Sequence, residues 1–222
     1  MKRFAVIGLG TFGSNVARSL YEKGHEVIVL DASDALVQKA KDFASVAVAA
    51  DATDRDFLES FGFRDVDCAV VSVGDRIDAS ILITLHLAEL GIPKIVVKAV
   101  NEIHGRILKR IGATEVVHPE KEMALRLADR ISHSGVLDQI ALEDGFSILE
   151  TRVPSCYVGI PLKESKIRQH YALNVIAVRP SRQEKQGRRA FSLPKPDYAL
   201  EPGDVLVLFG TDEQIEKFKE LP

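Results

Sequence analysis

The chain has little cysteine, no long apolar run and no strong excess of charge of either sign, and each shortage removes a class of function. Two cysteines, Cys68 and Cys156, stand far apart and form no C-x-x-C pair, so a disulfide scaffold and a cysteine-based zinc site are both excluded. They read as reduced thiols. No apolar run approaches the ~18 residues of a membrane-spanning helix, and Met1 leads directly into a strand pattern, so neither a spanning segment nor a signal peptide is expected. A net charge of -3 and a pI near 6.1 give no general reason to expect nucleic acid or an anionic membrane surface as partner. With 46% hydrophobic and 27% charged residues in 222, what remains is an ordinary globular chain, expected in the cytoplasm, with enough core for one or two domains.

Against this background one stretch is dense in information. Phe4 to Ile7 reads as a buried strand, Gly8, Gly10 and Gly13 follow in a G-x-G-x-x-G pattern, Ser14 to Lys23 reads as a helix, and Glu26 to Asp31 as a second strand. That is the context the dinucleotide fingerprint requires. Gly8 permits the tight turn, Gly10 leaves room for backbone amides to approach a pyrophosphate, and Gly13 lets the helix pack close on the strand. The helix N-terminus then attracts phosphate charge. Asp31 ends the second strand ~20 residues on, where a carboxylate accepts hydrogen bonds from ribose hydroxyls and repels a 2′-phosphate.

The βαβ rhythm then repeats. Strands are predicted at 46–50 (short and buried), 68–73, 94–98 and 115–117, with helices over 32–43, 54–61, 79–90, 102–111 and 119–132. Six strands alternating with helices make an α/β domain with a Rossmann-like, doubly wound parallel sheet. At Ser132-His-Ser-Gly135 the pattern changes to a half-exposed strand at 146–153 and a further strand at 174–179. A basic loop, a Glu201-Pro-Gly-Asp204 turn, a buried strand at 205–209 and a terminal helix follow. The expected division is a nucleotide-binding domain over 1–135 and a small α+β domain over 136–222.

Several stretches together resemble a known family: Ala5-Val-Ile-Gly-Leu-Gly-Thr-Phe-Gly13, Ala50-Asp-Ala-Thr53, Ile95-Val-Val-Lys-Ala99, Lys109-Arg-Ile-Gly-Ala113 and Val117-His-Pro-Glu-Lys-Glu-Met123. The chain resembles, over its whole length, the RCK (regulator of potassium conductance) proteins of the KtrA/TrkA type, cytosolic subunits of bacterial potassium uptake systems. The resemblance implies a nucleotide-gated homo-oligomer, an octameric ring built from dimers, docked on a KtrB/TrkH-like potassium-translocating membrane subunit and so peripheral to the membrane. It implies ATP, ADP or NAD(H) held by Gly8, Gly10, Thr11, Phe12 and Gly13 with Asp31. Asp51, Ala52 and Thr53 would form the adenine rim, with Val73, Gly74 and Lys98 at neighbouring strand ends and Glu120 binding Mg²⁺ or Ca²⁺ beside the phosphates. It also implies a cyclic di-AMP pocket at Ile167, Arg168, Ala172, Asn174 and Pro194.

One position departs from the family. KtrA-like proteins often carry arginine directly after the second glycine, and here that residue is Thr11, which has no charge for a terminal phosphate. ADP and NAD(H) therefore gain relative to ATP. Plainer readings stand beside several assignments: Glu120 as a first-turn acid favouring the helix dipole, Lys98 as a surface charge, and His118 as a turn residue with no histidine at i+4. The run Arg179, Arg182, Lys185, Arg188 and Arg189 lacks interleaved aromatics and includes Glu184, which suits a solvated loop. Two other functions compete. An NAD-dependent oxidoreductase would use the same loop, but no Tyr-x-x-x-Lys occurs at any of the four tyrosines, and no G-x-x-x-x-G-K-[ST] loop serves ATP hydrolysis. A stand-alone nucleotide sensor differs only in lacking a membrane partner.

Overall fold

The structure is a computed structural model, and it describes residues 1–181 and 191–221. The chain divides into two compact units, Met1–Pro119 and Glu120–Pro222.

The first unit alternates strand and helix: β1 (Arg3–Ile7), α1 (Thr11–Glu22), β2 (Glu26–Asp31), α2 (Asp34–Ala40), β3 (Val46–Ala49), α3 (Arg55–Ser60), β4 (Cys68–Val71), α4 (Ile77–Glu89), β5 (Ile95–Lys98), α5 (Glu102–Arg110) and β6 (Glu115–Val117). The six strands pair in parallel in the order β3-β2-β1-β4-β5-β6. Parallel strands joined by crossover helices are covered on both faces, which is why Val27 to Leu30 is apolar without alternation and wholly buried. Alternate side chains feed two core layers. Ile7, Ile28, Leu30, Val71 and Ile83 share one, and Val6, Ala17, Val27, Val29 and Phe43 the other. The expected buried strand at 46–50 is a half-exposed edge strand, because β3 has a neighbour on one side only. The strand order reverses between β1 and β4, and the cleft outside their carboxyl ends is where such sheets bind ligands.

In the second unit, α6 (Pro119–Ser132, its first residue closing the first unit) precedes β7 (Val136–Ala141), β8 (Phe146–Arg152), α7 (Ile167–Tyr171), β9 (Asn174–Arg179), β10 (Val205–Thr211) and α8 (Asp212–Lys219). The strands form an antiparallel sheet in the order β7-β8-β10-β9 over a core that includes Leu149, Leu173, Leu206, Leu208, Ile215 and Phe218. The division thus falls earlier than the expected 135, and α6 goes with the second unit. Within that unit the Lys219 ammonium on α8, whose side chain is fully buried, lies 3.8 Å from Asp129 on α6 and 2.5 Å from Glu216. The Glu-Pro-Gly-Asp turn has an internal cause as well. Asp204 is fully buried and accepts from the Ser181 amide at 2.7 Å, the Tyr198 hydroxyl at 2.7 Å and the Glu201 amide at 2.9 Å. At the start of α8, Thr211 and Gln214 form a reciprocal capping box.

Candidate functional site

The glycine loop is shaped by backbone contacts that leave no room for side chains. Gly8 has φ +92°, its amide donates to the Leu30 carbonyl at 2.8 Å, and a Cβ there would stand 2.2 Å from the Ser72 carbonyl oxygen. At Gly13 a Cβ would stand 1.9 Å from the Gly8 carbonyl oxygen, so α1 could not pack as closely with any other residue. Gly10 differs: a Cβ there meets no protein atom within 4 Å. Its side of the loop faces open space in the cleft, where a ligand phosphate would otherwise meet a methyl group. Gly10 is also the N-cap of α1, with no side-chain cap and no acid in the first turn. The orphan amides of that turn are thus left for an anion.

Asp31 is fixed before any ligand arrives. One carboxylate oxygen accepts from the Leu9 amide at 2.7 Å and the other from the Ser33 amide at 2.8 Å, which ties the end of β2 to the glycine loop. A carboxylate has about four lone-pair sites, so both oxygens can still accept ribose hydroxyls. Asp51 is held in the same manner: its Oδ1 accepts from the Thr53 amide at 3.0 Å and the Thr53 hydroxyl at 2.8 Å. These two bonds, with a smaller contribution from the charge of Arg76, hold the Asp51 carboxyl below its ordinary range.

These residues converge on a cleft of about 290 Å³ at the carboxyl ends of β1 to β4. Of the residues singled out in the sequence, Gly8, Gly10, Asp31, Asp51, Ala52, Val73 and Gly74 line it. Thr53 acts through Asp51. Thr11 is exposed on α1, Phe12 packs toward the core layer containing Val6, and Gly13 is buried beneath the loop. Lys98 closes β5, opposite Val117 in register, and is not part of the cleft wall. Glu120 heads the second unit on α6. Among the described residues no group of three or more His, Cys, Asp or Glu is placed to hold a metal. Sequence reasoning passed over Ser72, Arg76 and Ile83, which also line the cleft. The signal for Arg76 was its position just after Gly74-Asp75 at a strand end.

A second cleft, of about 470 Å³, lies in the second unit. Ile167, Arg168, Asn174 and Pro194 line it together with Lys163, Lys166 and Lys195. Ala172 is not in its wall; it caps α7 in the left-handed region at φ +57°. Of the basic run, Arg179 lies 4.0 Å from Glu150 and stacks 4.6 Å over the Phe191 ring, while Arg182, Lys185, Arg188 and Arg189 lie outside the described residues. Both cysteines are free, Cys68 buried and Cys156 exposed.

The TrkA-N domain model matches residues 4–119 and the TrkA-C domain model residues 148–222. The chain is 37% identical over 99% of its length to the Ktr system potassium uptake protein C of Bacillus subtilis, covering 96% of that protein. The chain belongs to the Ktr/Trk potassium-uptake family. The Ktr system potassium uptake protein A of the same organism is 36% identical over 98% of this chain and 96% of its own. No helix among the described residues is long and apolar enough to cross a membrane. The fold recurs in the GsuK channel, with a TM-score of 0.72 at 21% identity over 99% of this chain, which spans 39% of the channel's length. A GsuK channel bound to NAD matches with a TM-score of 0.54 at 23% identity, over 100% of this chain and 38% of that one. GsuK bound to ADP matches with 0.52 at 16% identity, over 58% of this chain and 34% of that one.

Proposed function

We propose that this chain is a non-enzymatic, nucleotide-sensing regulatory subunit that works from the cytoplasmic side on a potassium-translocating membrane partner. The observation that carries the reading is the cleft at β1 to β4. Glycine amides and two preset carboxylates converge there, in a chain more than a third identical to a potassium uptake protein over nearly its full length. Asp31 meets the ribose, the first turn of α1 meets the phosphates, and Asp51 with Ala52 borders the adenine. Solved structures of the same fold that hold NAD or ADP support an adenine nucleotide, ATP, ADP or NAD(H). Glu120 supplies one carboxylate to a Mg²⁺ or Ca²⁺ that the phosphates help to hold.

The regulatory step is a change in assembly. α6 buries none of its residues, and Met123, Leu125 and Ile131 on it are exposed, as are Leu82 on α4 and Ile103 and Ile107 on α5. Apolar surface of that extent suits contacts with further copies of the chain, up to an octameric ring. A nucleotide shifts such a ring only by binding its two shapes with different affinity. The division into a nucleotide domain and a smaller partner domain allows each to report its own ligand.

Calorimetry with ATP, ADP, AMP, NAD and NADH tests the site: heat from at least one is expected, and silence from all five rejects it. Co-purification with a potassium-translocating membrane subunit separates this reading from a stand-alone sensor. A second ligand, cyclic di-AMP, is favoured by the cleft carrying Arg168, Asn174 and Pro194, where guanidinium and ammonium groups suit phosphates and an asparagine amide suits an adenine edge.

A further inference from the structure

The nucleotide cleft has an unusual charge balance for a phosphate site. Its described walls carry two carboxylates, Asp31 and Asp51, and a single cation, Arg76. Asp31 and Asp51 are both locked by backbone amides and cannot turn away from an incoming anion. Thr11, at the opening of α1, offers a hydroxyl and no charge. A ligand with two or more phosphate charges would thus face two fixed anions, with amide dipoles and Arg76 to oppose them.

The placement of Arg76 fits that task. It is the N-cap of α4, its side chain makes no capping bond, and it is exposed. The segment from Ser72 to Arg76 that joins β4 to α4 stands beside the glycine loop, because β4 pairs directly with β1 through Ile7 and Val71. Asp31 leaves β2, on the opposite side of β1. The phosphate loop is therefore flanked by the ribose acid on one side and the Arg76 segment on the other. Arg76 and Asp51 line the same cleft, and the Arg76 charge adds a little to the lowering of the Asp51 carboxyl that the Thr53 bonds produce.

Resting on the assignment of this cleft to an adenine nucleotide, we infer that Arg76 is its specificity-determining residue. Its guanidinium, the one cation of the described cleft wall, pairs with the phosphates when a nucleotide enters. Guanidinium binds phosphate through paired, charge-assisted hydrogen bonds, which a carboxylate alone among the fixed groups here would only oppose. The cleft then grades adenine ligands by their phosphate charge, and Arg76 does the work that the uncharged Thr11 cannot.

The test is calorimetry on the full chain with adenosine, AMP and ADP, using wild type, Arg76→Gln and Arg76→Lys. In wild type, affinity rises from adenosine to ADP. Arg76→Gln is expected to lower ADP affinity by about 10- to 100-fold and to leave adenosine within about twofold, with Arg76→Lys recovering part of the loss. An equal loss for adenosine and ADP, or unchanged ADP affinity, overturns the role of Arg76 while leaving the nucleotide assignment in place. A wild-type chain that binds none of the three ligands overturns the assignment itself. Because Arg76 is exposed and makes no capping bond, unchanged melting of both variants is the expected control.

Discussion

The two clefts are built on opposite principles. In the first unit, backbone shapes the cleft: Gly8 and Gly13 admit no side chain, the first turn of α1 is left uncapped, and the carboxylates are tied down by amides. In the second, side chains do it. Lys163, Lys166, Arg168 and Lys195 border one cavity whose described wall holds no acid, though Lys163 is drawn to Asp197 at 2.6 Å. A backbone site tolerates almost no substitution at its turns, whereas a site made of flexible cations should weaken by steps.

The largest expected effect tests that contrast at its stiffest point. Gly13→Ala forces a methyl into the Gly8 carbonyl and should destabilise the first unit by about 3 kcal/mol, with loss of nucleotide binding. Calorimetry and thermal melting would read both, and a variant that melts and binds like wild type would break the claim that backbone packing shapes the loop. Next in size, Arg168→Ala should weaken cyclic di-AMP binding by about tenfold or more while nucleotide affinity stays fixed. Equal affinity for cyclic di-AMP in variant and wild type would remove that ligand from the second cleft.

The smallest effect is a pH dependence confined to the first unit. His104 is buried, its Nδ1 accepts from the Val100 amide at 3.3 Å, and burial, reinforced by His118, lowers its pKa from the ordinary 6.5. The folded state then binds its proton less readily than the unfolded state. Its contribution to stability is present above the unfolded value and is lost as pH falls through the folded one. Melting of the first unit should drop in wild type as pH falls below the ordinary 6.5 toward the lowered folded value. His104→Gln should flatten that drop, and an equal drop in the variant would assign it elsewhere.

Legibility followed the range of the interactions involved. The strands at 115–117 and 174–179 and the helix at 119–132 have the expected limits, because their apolar spacing, turn residues and Pro119 act locally. β7 gave no comparable signal. Val136 to Ala141 is interrupted by a register shift between Val136 and Asp138, which breaks the alternation that marks a strand. α4 likewise starts at Ile77 rather than at the expected 79, since its cap is Arg76 rather than a Ser, Thr, Asp or Asn.

What the sequence by itself determined is the chemistry of the turns: the glycines, the acids that end β2 and β3, and the apolar runs that must be covered on both faces. Each depends on neighbours a few residues away. Only the tertiary structure decided which polar groups share a cavity. The order β3-β2-β1-β4 brings Asp51, Asp31, Gly10 and Arg76 to one edge of the sheet, although they are scattered along the chain. Strand order is set by packing of the whole domain, so the place of Arg76 just after a strand end was legible locally, but not that this strand end stands beside the glycine loop.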